Sequence, residues 1–195
     1  MEDYKLEDEL ANLDKYETLI YLSYRKLYVI PKTILRFEIL TSLYCDNNKL
    51  TFLPEKLPPS LISLNCSHNI LTFLPSVLPI NLKNLYCSNN LLKKLPDVLP
   101  NTLETLFCQD NPLQTINTNL PLNIRYINCK NTHIYSLPTD IPDSVSIIHF
   151  YNTPLYEMLK HWPDIGRDIT LLRSKLRALN RFREELYGKP FLSDY

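Results

Sequence analysis

The sequence predicts a repeat solenoid built around a parallel β-sheet, and three regularities carry this prediction. Cysteines recur at a constant interval, leucines recur in phase with them, and prolines fill two further phases. The cysteines, each 21 residues after the one before, are Cys45, Cys66, Cys87, Cys108 and Cys129. Because self-similarity at one fixed period is the signature of stacked structural units, we expect the chain to form a one-dimensional stack.

The strand of each unit is predicted by alternation. Aligned on the cysteines, the unit reads L-x-x-L-x-C-x-x-N-x-L-x-x-L-P-x-x-L-P-x-x, as in residues 82–102. In L-x-C, apolar and variable positions alternate, which indicates a strand with one buried face. A single strand cannot bury that face alone, so neighbouring units are expected to stack into a parallel sheet.

A polar ladder is predicted where each strand ends. The asparagines that follow the strands are Asn48, Asn69, Asn90 and Asn111. A buried amide at this place must bond to the turn backbone, and stacked copies then form a ladder of such bonds. Thr132 and Thr153 replace Asn in the next two units, each preceded by an Asn one position early. We therefore expect the ladder to loosen toward the C-terminal end.

The two halves of the unit resemble a known repeat. The first half, L-x-x-L-x-C-x-x-N-x-L, resembles the leucine-rich-repeat signature, with Cys at an allowed apolar position. The second half, L-P-x-x-L-P, is similar to the short repeat of bacterial effectors injected into host cells and of giant viruses that infect amoebae. Its prolines disfavour helix. The resemblance thus implies a curved parallel β-sheet with an extended or turn-like convex side.

The repeat phase also predicts the organisation of the chain. Five clear units span 40–60, 61–81, 82–102, 103–123 and 124–144, with degenerate units at 19–39 and 145–155. Extending the phase backward places Leu19, Leu22 and Tyr24 on the first three anchors, and extending it forward places Val145, Ile148 and Phe150 there.

Helical caps are expected at both ends, because a stack exposes its terminal apolar faces unless something covers them. Residues 1–18 form the predicted N-terminal cap, with leucines at helical spacing, and 156–195 form the C-terminal cap. The latter contains an amphipathic helix predicted from about Asp164 to Tyr187. Its polar face is basic, which is typical of a solvated capping helix but also fits a helix for docking or self-association.

Composition limits the classes of partner. Lys and Arg total 21, as do Asp and Glu, so no net field attracts nucleic acid or an acidic membrane surface. The N-terminal sequence is acidic and lacks the features of a secretory signal, and no apolar run reaches the ~18 residues of a membrane span. We expect a soluble, intracellular protein, located in the cytoplasm, or in the host cytoplasm for a viral or effector protein.

No catalytic or metal-binding pattern is found in the sequence. The cysteines alternate with leucines on the buried face and lack the paired spacing of metal ligands, which predicts reduced core thiols. The histidines share no metal spacing, and no phosphate-binding motif is present. We therefore expect no enzyme activity, no cofactor and no metal.

The candidate binding residues follow from the resemblance, which implies that the variable positions beside the strand anchors project from the concave face. They are Tyr44, Asp46, Asn65, His68, Tyr86, Phe107, Gln109, Tyr126, Lys130 and His149. Aromatic side chains among amides are typical of protein-binding surfaces, whereas a nucleic-acid groove needs several cations and only Lys130 qualifies. Exposed Tyr and Asn can also reflect β-propensity and composition alone.

These observations predict a non-catalytic protein–protein interaction module that binds its partner on the concave face as a monomer. The alternative is a structural or assembly protein that self-associates through the C-terminal amphipathic helix.

Overall fold

The computed structural model of the chain describes residues 2–116, 119–138, 140–162, 164–165 and 168–187. Its strands form one parallel sheet in sequence order. The strands are β1 (Leu19–Tyr21), β2 (Ser42–Tyr44), β3 (Ser63–Asn65), β4 (Asn84–Tyr86), β5 (Thr105–Phe107), β6 (Tyr126–Asn128) and β7 (Ile147–His149). Each strand from β2 to β6 pairs with the next strand, and the paired residues occupy equivalent positions of the two units, as Leu64 and Leu85 do. The predicted solenoid is confirmed.

The core is a column of side chains that point inward from every unit. The central residue of each strand is buried, as are the cysteines two positions later and the Leu or Ile side chains at the repeated apolar positions of the convex half. The described convex residues of the five clear units lie in turns, bends and extended backbone, as the prolines predict. Single strands of three residues therefore gain their stability from stacking on the units before and after them.

The predicted asparagine ladder ties each unit to its neighbours. Asn69 Nδ2 donates to the carbonyl of Cys45 at 3.0 Å and to that of Cys66 at 3.1 Å, while its Oδ1 accepts the backbone N–H of Leu50. Thr132 Oγ1 instead donates to the carbonyl of Cys129 in its own unit at 2.7 Å. A hydroxyl has one proton, so Thr132 cannot also donate to the preceding unit, which confirms the expected loosening.

A second regular position lies directly before the ladder. In six successive units this residue adopts a positive φ of 54 to 57°: Asn47, His68, Asn89, Asp110, Asn131 and Asn152. Asn, Asp and His tolerate this left-handed conformation better than other residues with a Cβ. Asn131 and Asn152 are thus in phase with this turn position, and are not ladder residues displaced by one.

The first unit corrects the backward extension of the repeat. Ile20 pairs with Leu43 and Tyr21 with Tyr44, so this unit is 23 residues long. Leu22 is still buried, but the residue placed on the third anchor, Tyr24, is 76% exposed. The two extra residues lie on the convex side, where a 3-10 helix spans Lys32–Arg36. The constant interval failed here because the convex side can lengthen without disturbing strand pairing.

A helix covers the N-terminal end of the stack. Helix α1 (Glu2–Asn12) buries Leu6 and Leu10 against the first unit. The Glu9 carboxylate forms an ion pair with Arg25 of that unit. A helix is therefore present within the predicted N-terminal cap, over Glu2–Asn12.

The C-terminal end differs from expectation in two details. A short helix α2 (Pro154–Leu159) precedes the predicted one, and α3 spans Ile169–Tyr187, five residues later than expected at its start. Asp164 cannot belong to it, since its φ is 62°, whereas Asp168 Oδ1 accepts the N–H groups of Thr170 and Leu171 and caps the helix. Residues 188–195 of the predicted cap lie outside the described residues. Among the described helices, none has the length and apolar character needed to cross a membrane.

Candidate functional site

The candidate site is the face of the sheet that points away from the core, which we call the concave face. In β2 to β5 the first and third residues of each strand are half-buried and the central one is buried. Because side chains alternate along a strand, the outward residues of all seven strands share one surface. Neighbouring strands bring equivalent positions about 5 Å apart.

Two of the candidate residues form an aromatic pair at the centre of this face. Tyr86 pairs with Phe107 in the register of β4 and β5, and their ring centroids are 5.3 Å apart at an interplanar angle of 86°. This edge-to-face geometry is a favourable one for aromatic rings. Tyr126 on β6 is 44% exposed.

A second aromatic pair was missed from the sequence. Tyr21 on β1 stacks on Tyr44 of β2 with centroids 5.0 Å apart and an interplanar angle of 19°. The constant 21-residue phase places Tyr24 on an anchor, so it does not identify Tyr21 as an outward strand residue. The signal that reveals it is Ile30-Pro31, which matches Leu53-Pro54 at the 23-residue offset.

Asp46 is the centre of a hydrogen-bond network beside this pair. Its Oδ1 accepts from Ser23 Oγ at 2.6 Å and from Asn65 Nδ2 at 3.1 Å, and its Oδ2 accepts from Asn47 Nδ2 at 2.7 Å.

Of the other predicted residues, Gln109 carries a buried Oε1 that has no hydrogen-bond partner among the described residues. Lys130 is exposed.

The thiols behind the sheet are shielded from solvent. All five cysteines are free and buried. Burial raises the pKa of the Cys66 thiol to about 12 and has the same effect on Cys108. At neutral pH they are therefore protonated, poor nucleophiles. Among the described residues no group of three or more His, Cys, Asp or Glu side chains is placed to hold a metal ion.

Solved effector structures are similar to this chain. YopM from Yersinia enterocolitica WA-314 aligns with a TM-score of 0.67 at 28% identity, covering 77% of this chain and 32% of that one. The leucine-rich effector protein YopM from Yersinia pestis aligns with a TM-score of 0.61 at 33% identity, covering 74% and 45% respectively. A Shigella effector leucine-rich-repeat domain shares the fold, with a TM-score of 0.63 at 24% identity over 84% of each chain.

The chain has the leucine-rich-repeat fold. Its stack of parallel strands aligns with the effector structures over 74–84% of the chain. The chain spans less than half the length of either YopM structure. No protein-family model and no curated protein matches the sequence.

Two predicted residues of this leucine-rich-repeat fold have a clear local setting. His68 occupies the left-handed turn position with a φ of 54°, so backbone geometry alone accounts for a residue of this type. His149, on the last strand, lies 6.1 Å from the ring of Tyr151, which in turn contacts Tyr156 at 5.1 Å. The aromatic surface thus continues to the C-terminal edge of the concave face.

Proposed function

We propose that this protein is a non-catalytic interaction module that binds another protein on its concave face. The observation that carries the proposal is the Tyr86–Phe107 pair. These two rings are half-buried and lie in contact on the central strands of the concave face. Clustered aromatic side chains near the middle of a surface are where binding energy usually concentrates.

The chemistry of the face favours a protein over other partners. Among the ten candidate residues Lys130 is the only Lys or Arg, whereas a nucleic-acid groove needs several. Amide and aromatic groups predominate instead, and these combine adaptable hydrogen bonding with rigid contact area. The remaining candidates lie on both sides of the central pair, toward the N-terminal and the C-terminal strands.

Binding as a monomer is part of the proposal. Self-association through α3 would require an apolar face that is free to pair. Leu172 and Leu176 of α3 are buried, and Arg173 bonds to the carbonyl of Pro142 in the last clear unit. These contacts support capping as the role of the helix.

A reducing, intracellular compartment is supported by the free thiols.

Site-specific photo-crosslinking tests the proposal. Benzoylphenylalanine replaces Tyr86 on the concave face in one variant and Phe73 in another. Phe73 is 56% exposed and lies outside the sheet, in a groove with Phe52 and Pro54, so it is a matched aromatic control. In cell lysate, we expect a discrete crosslinked protein from position 86 and none from position 73. Crosslinking from position 73 but not from position 86 would show that the partner binds outside the concave face, and would contradict the proposal.

A further inference from the structure

The Asp46 carboxylate, next to the end of β2 on the concave face, has only neutral hydrogen-bond partners. Its three donors are Ser23, Asn65 and Asn47. No Lys, Arg or His among the described residues forms an ion pair with it. The residue is half-buried, so solvent screens this charge less than that of an exposed side chain.

A basic residue of the first unit, Arg25, is already engaged elsewhere. It lies in the turn after β1, and its guanidinium pairs with the carboxylate of Glu9 in α1. Its backbone N–H donates to Asn48 Oδ1. Arg25 is therefore held by the N-terminal cap, and the Asp46 charge is left without a counter-ion from the described part of the chain.

The Tyr21–Tyr44 stack lies directly beside this carboxylate. Tyr44 and Asp46 are two residues apart on the same strand line, so their side chains project from the same face about 7 Å apart. Tyr21 stacks on Tyr44 and is 65% exposed. The site therefore offers an aromatic face and an oriented carboxylate side by side.

An arginine side chain matches both features at once. Its planar guanidinium stacks on aromatic rings and donates hydrogen bonds to a carboxylate in a fixed geometry. The three neutral donors leave a lone pair of Asp46 Oδ2 unused, since a carboxylate can accept about four bonds. A metal ion fits less well, because the Asn65 oxygen is turned away to accept the N–H of Ser67.

We propose that Asp46, Tyr21 and Tyr44 form a subsite for an arginine side chain of the protein partner. This inference rests on the concave-face function proposed above and adds the chemistry of one contact. It also gives the partner an orientation, with its basic side chain at the N-terminal end of the face and its apolar contacts at Tyr86 and Phe107.

Peptide display tests the subsite directly, with random peptides in place of the partner. The peptide library is selected on the immobilised full chain, and in parallel on Asp46→Asn. We expect arginine to be enriched at one position in peptides from the wild-type selection and not in those from Asp46→Asn. For a selected peptide, replacing that arginine by citrulline should weaken binding about tenfold, as should Asp46→Asn, with no additive loss when both are combined.

Two controls keep the result interpretable. Asp110→Asn removes another acidic group of the same face at a turn position where other units carry Asn, so it should fold normally and leave affinity unchanged. Tyr21→Ala tests the stack while leaving the Asp46 network intact, and should also weaken arginine peptides.

No arginine enrichment, or equal binding to wild type and Asp46→Asn, overturns the subsite. Peptides that bind equally well to wild type, to Asp46→Asn and to Tyr86→Ala with Phe107→Ala overturn the concave-face function itself.

Discussion

Asn90 Nδ2 donates to the carbonyl of Cys66 in the preceding unit at 3.0 Å, and its Oδ1 accepts the N–H of Leu71 from that unit at the same distance. One buried side chain thus bonds both to the carbonyl directly after β3 and to a backbone N–H five residues further along the chain. The equivalent bonds recur at Asn69 and Asn111. This relationship fixes how successive units stack.

Removing one rung should therefore destabilise the whole solenoid. Asn90→Ala leaves the buried backbone N–H of Leu71 without a partner and removes one of the two bonds to the carbonyl of Cys66, and we expect a loss of about 1–3 kcal/mol in the free energy of unfolding. Asn90→Thr should lose less, because Thr132 shows that a hydroxyl can still bond to its own unit. Urea unfolding measures both. Equal losses for the two variants would mean that the bond a hydroxyl keeps within its own unit contributes little.

The cysteines should resist modification in the folded protein. All five are free and buried, so a thiol reagent should label few or none under native conditions and all five after denaturation. Mass spectrometry counts the labels. Rapid native labelling of three or more would contradict the buried column of thiols.

Stability should fall at alkaline pH for the same reason. An unfolded thiol titrates near the ordinary value of 9.0, whereas burial raises the pKa of the folded Cys66 thiol to about 12. Between these two pH values the unfolded chain binds fewer protons than the folded chain. The free energy of unfolding therefore falls with rising pH by about 1.4 kcal/mol per pH unit for each thiol. Below pH 9 this contribution is constant. Cys66→Ala should be less stable throughout but lose stability less steeply above pH 9, and a parallel profile would argue against the raised pKa.

His68 should be replaceable by Asn but not by a β-branched residue. Its φ of 54° is the one that Asn47, Asn89 and Asn131 adopt, within a degree, in other units. We expect His68→Asn to leave the melting temperature unchanged or slightly raised, and His68→Ile to cost about 1–2 kcal/mol. Thermal unfolding distinguishes the two. If His68→Asn also keeps partner affinity, His68 serves the turn and not the contact.

Most of the fold could be predicted because the same physical constraint recurs in every unit. Leu85 and Cys87 must face inward for the strand to be stable, and Asn90 must bond the turn, so a fixed interval between them identifies the repeat. The interval failed at the first unit, where Ile20 and not Leu22 pairs with Leu43, because the convex segment varies in length without cost to the sheet.

The candidate site was predicted only as far as strand register reaches. Tyr86 and Phe107 were found because both lie in regular units, whereas Tyr21 was missed with the register of β1. The hydrogen bonds that Asp46 accepts depend on side-chain geometry across three units, which spacing does not encode. The start of α3 was misplaced because Asp164 and Asp168 are both plausible caps, and only the backbone at Asp164 separates them.

The central claim is that the outward side chains of β4 and β5 bind the partner while their inward neighbour holds the fold. It is tested most directly by measuring partner affinity and unfolding free energy for two variants, Tyr86→Ala with Phe107→Ala, and Leu85→Ala. Leu85, next to Tyr86 on β4, is fully buried, so truncating it should cost about 2–5 kcal/mol of stability. The double variant should fold almost as stably as wild type and bind at least about tenfold more weakly. A double variant that unfolds like Leu85→Ala, or that binds with undiminished affinity, would contradict the account.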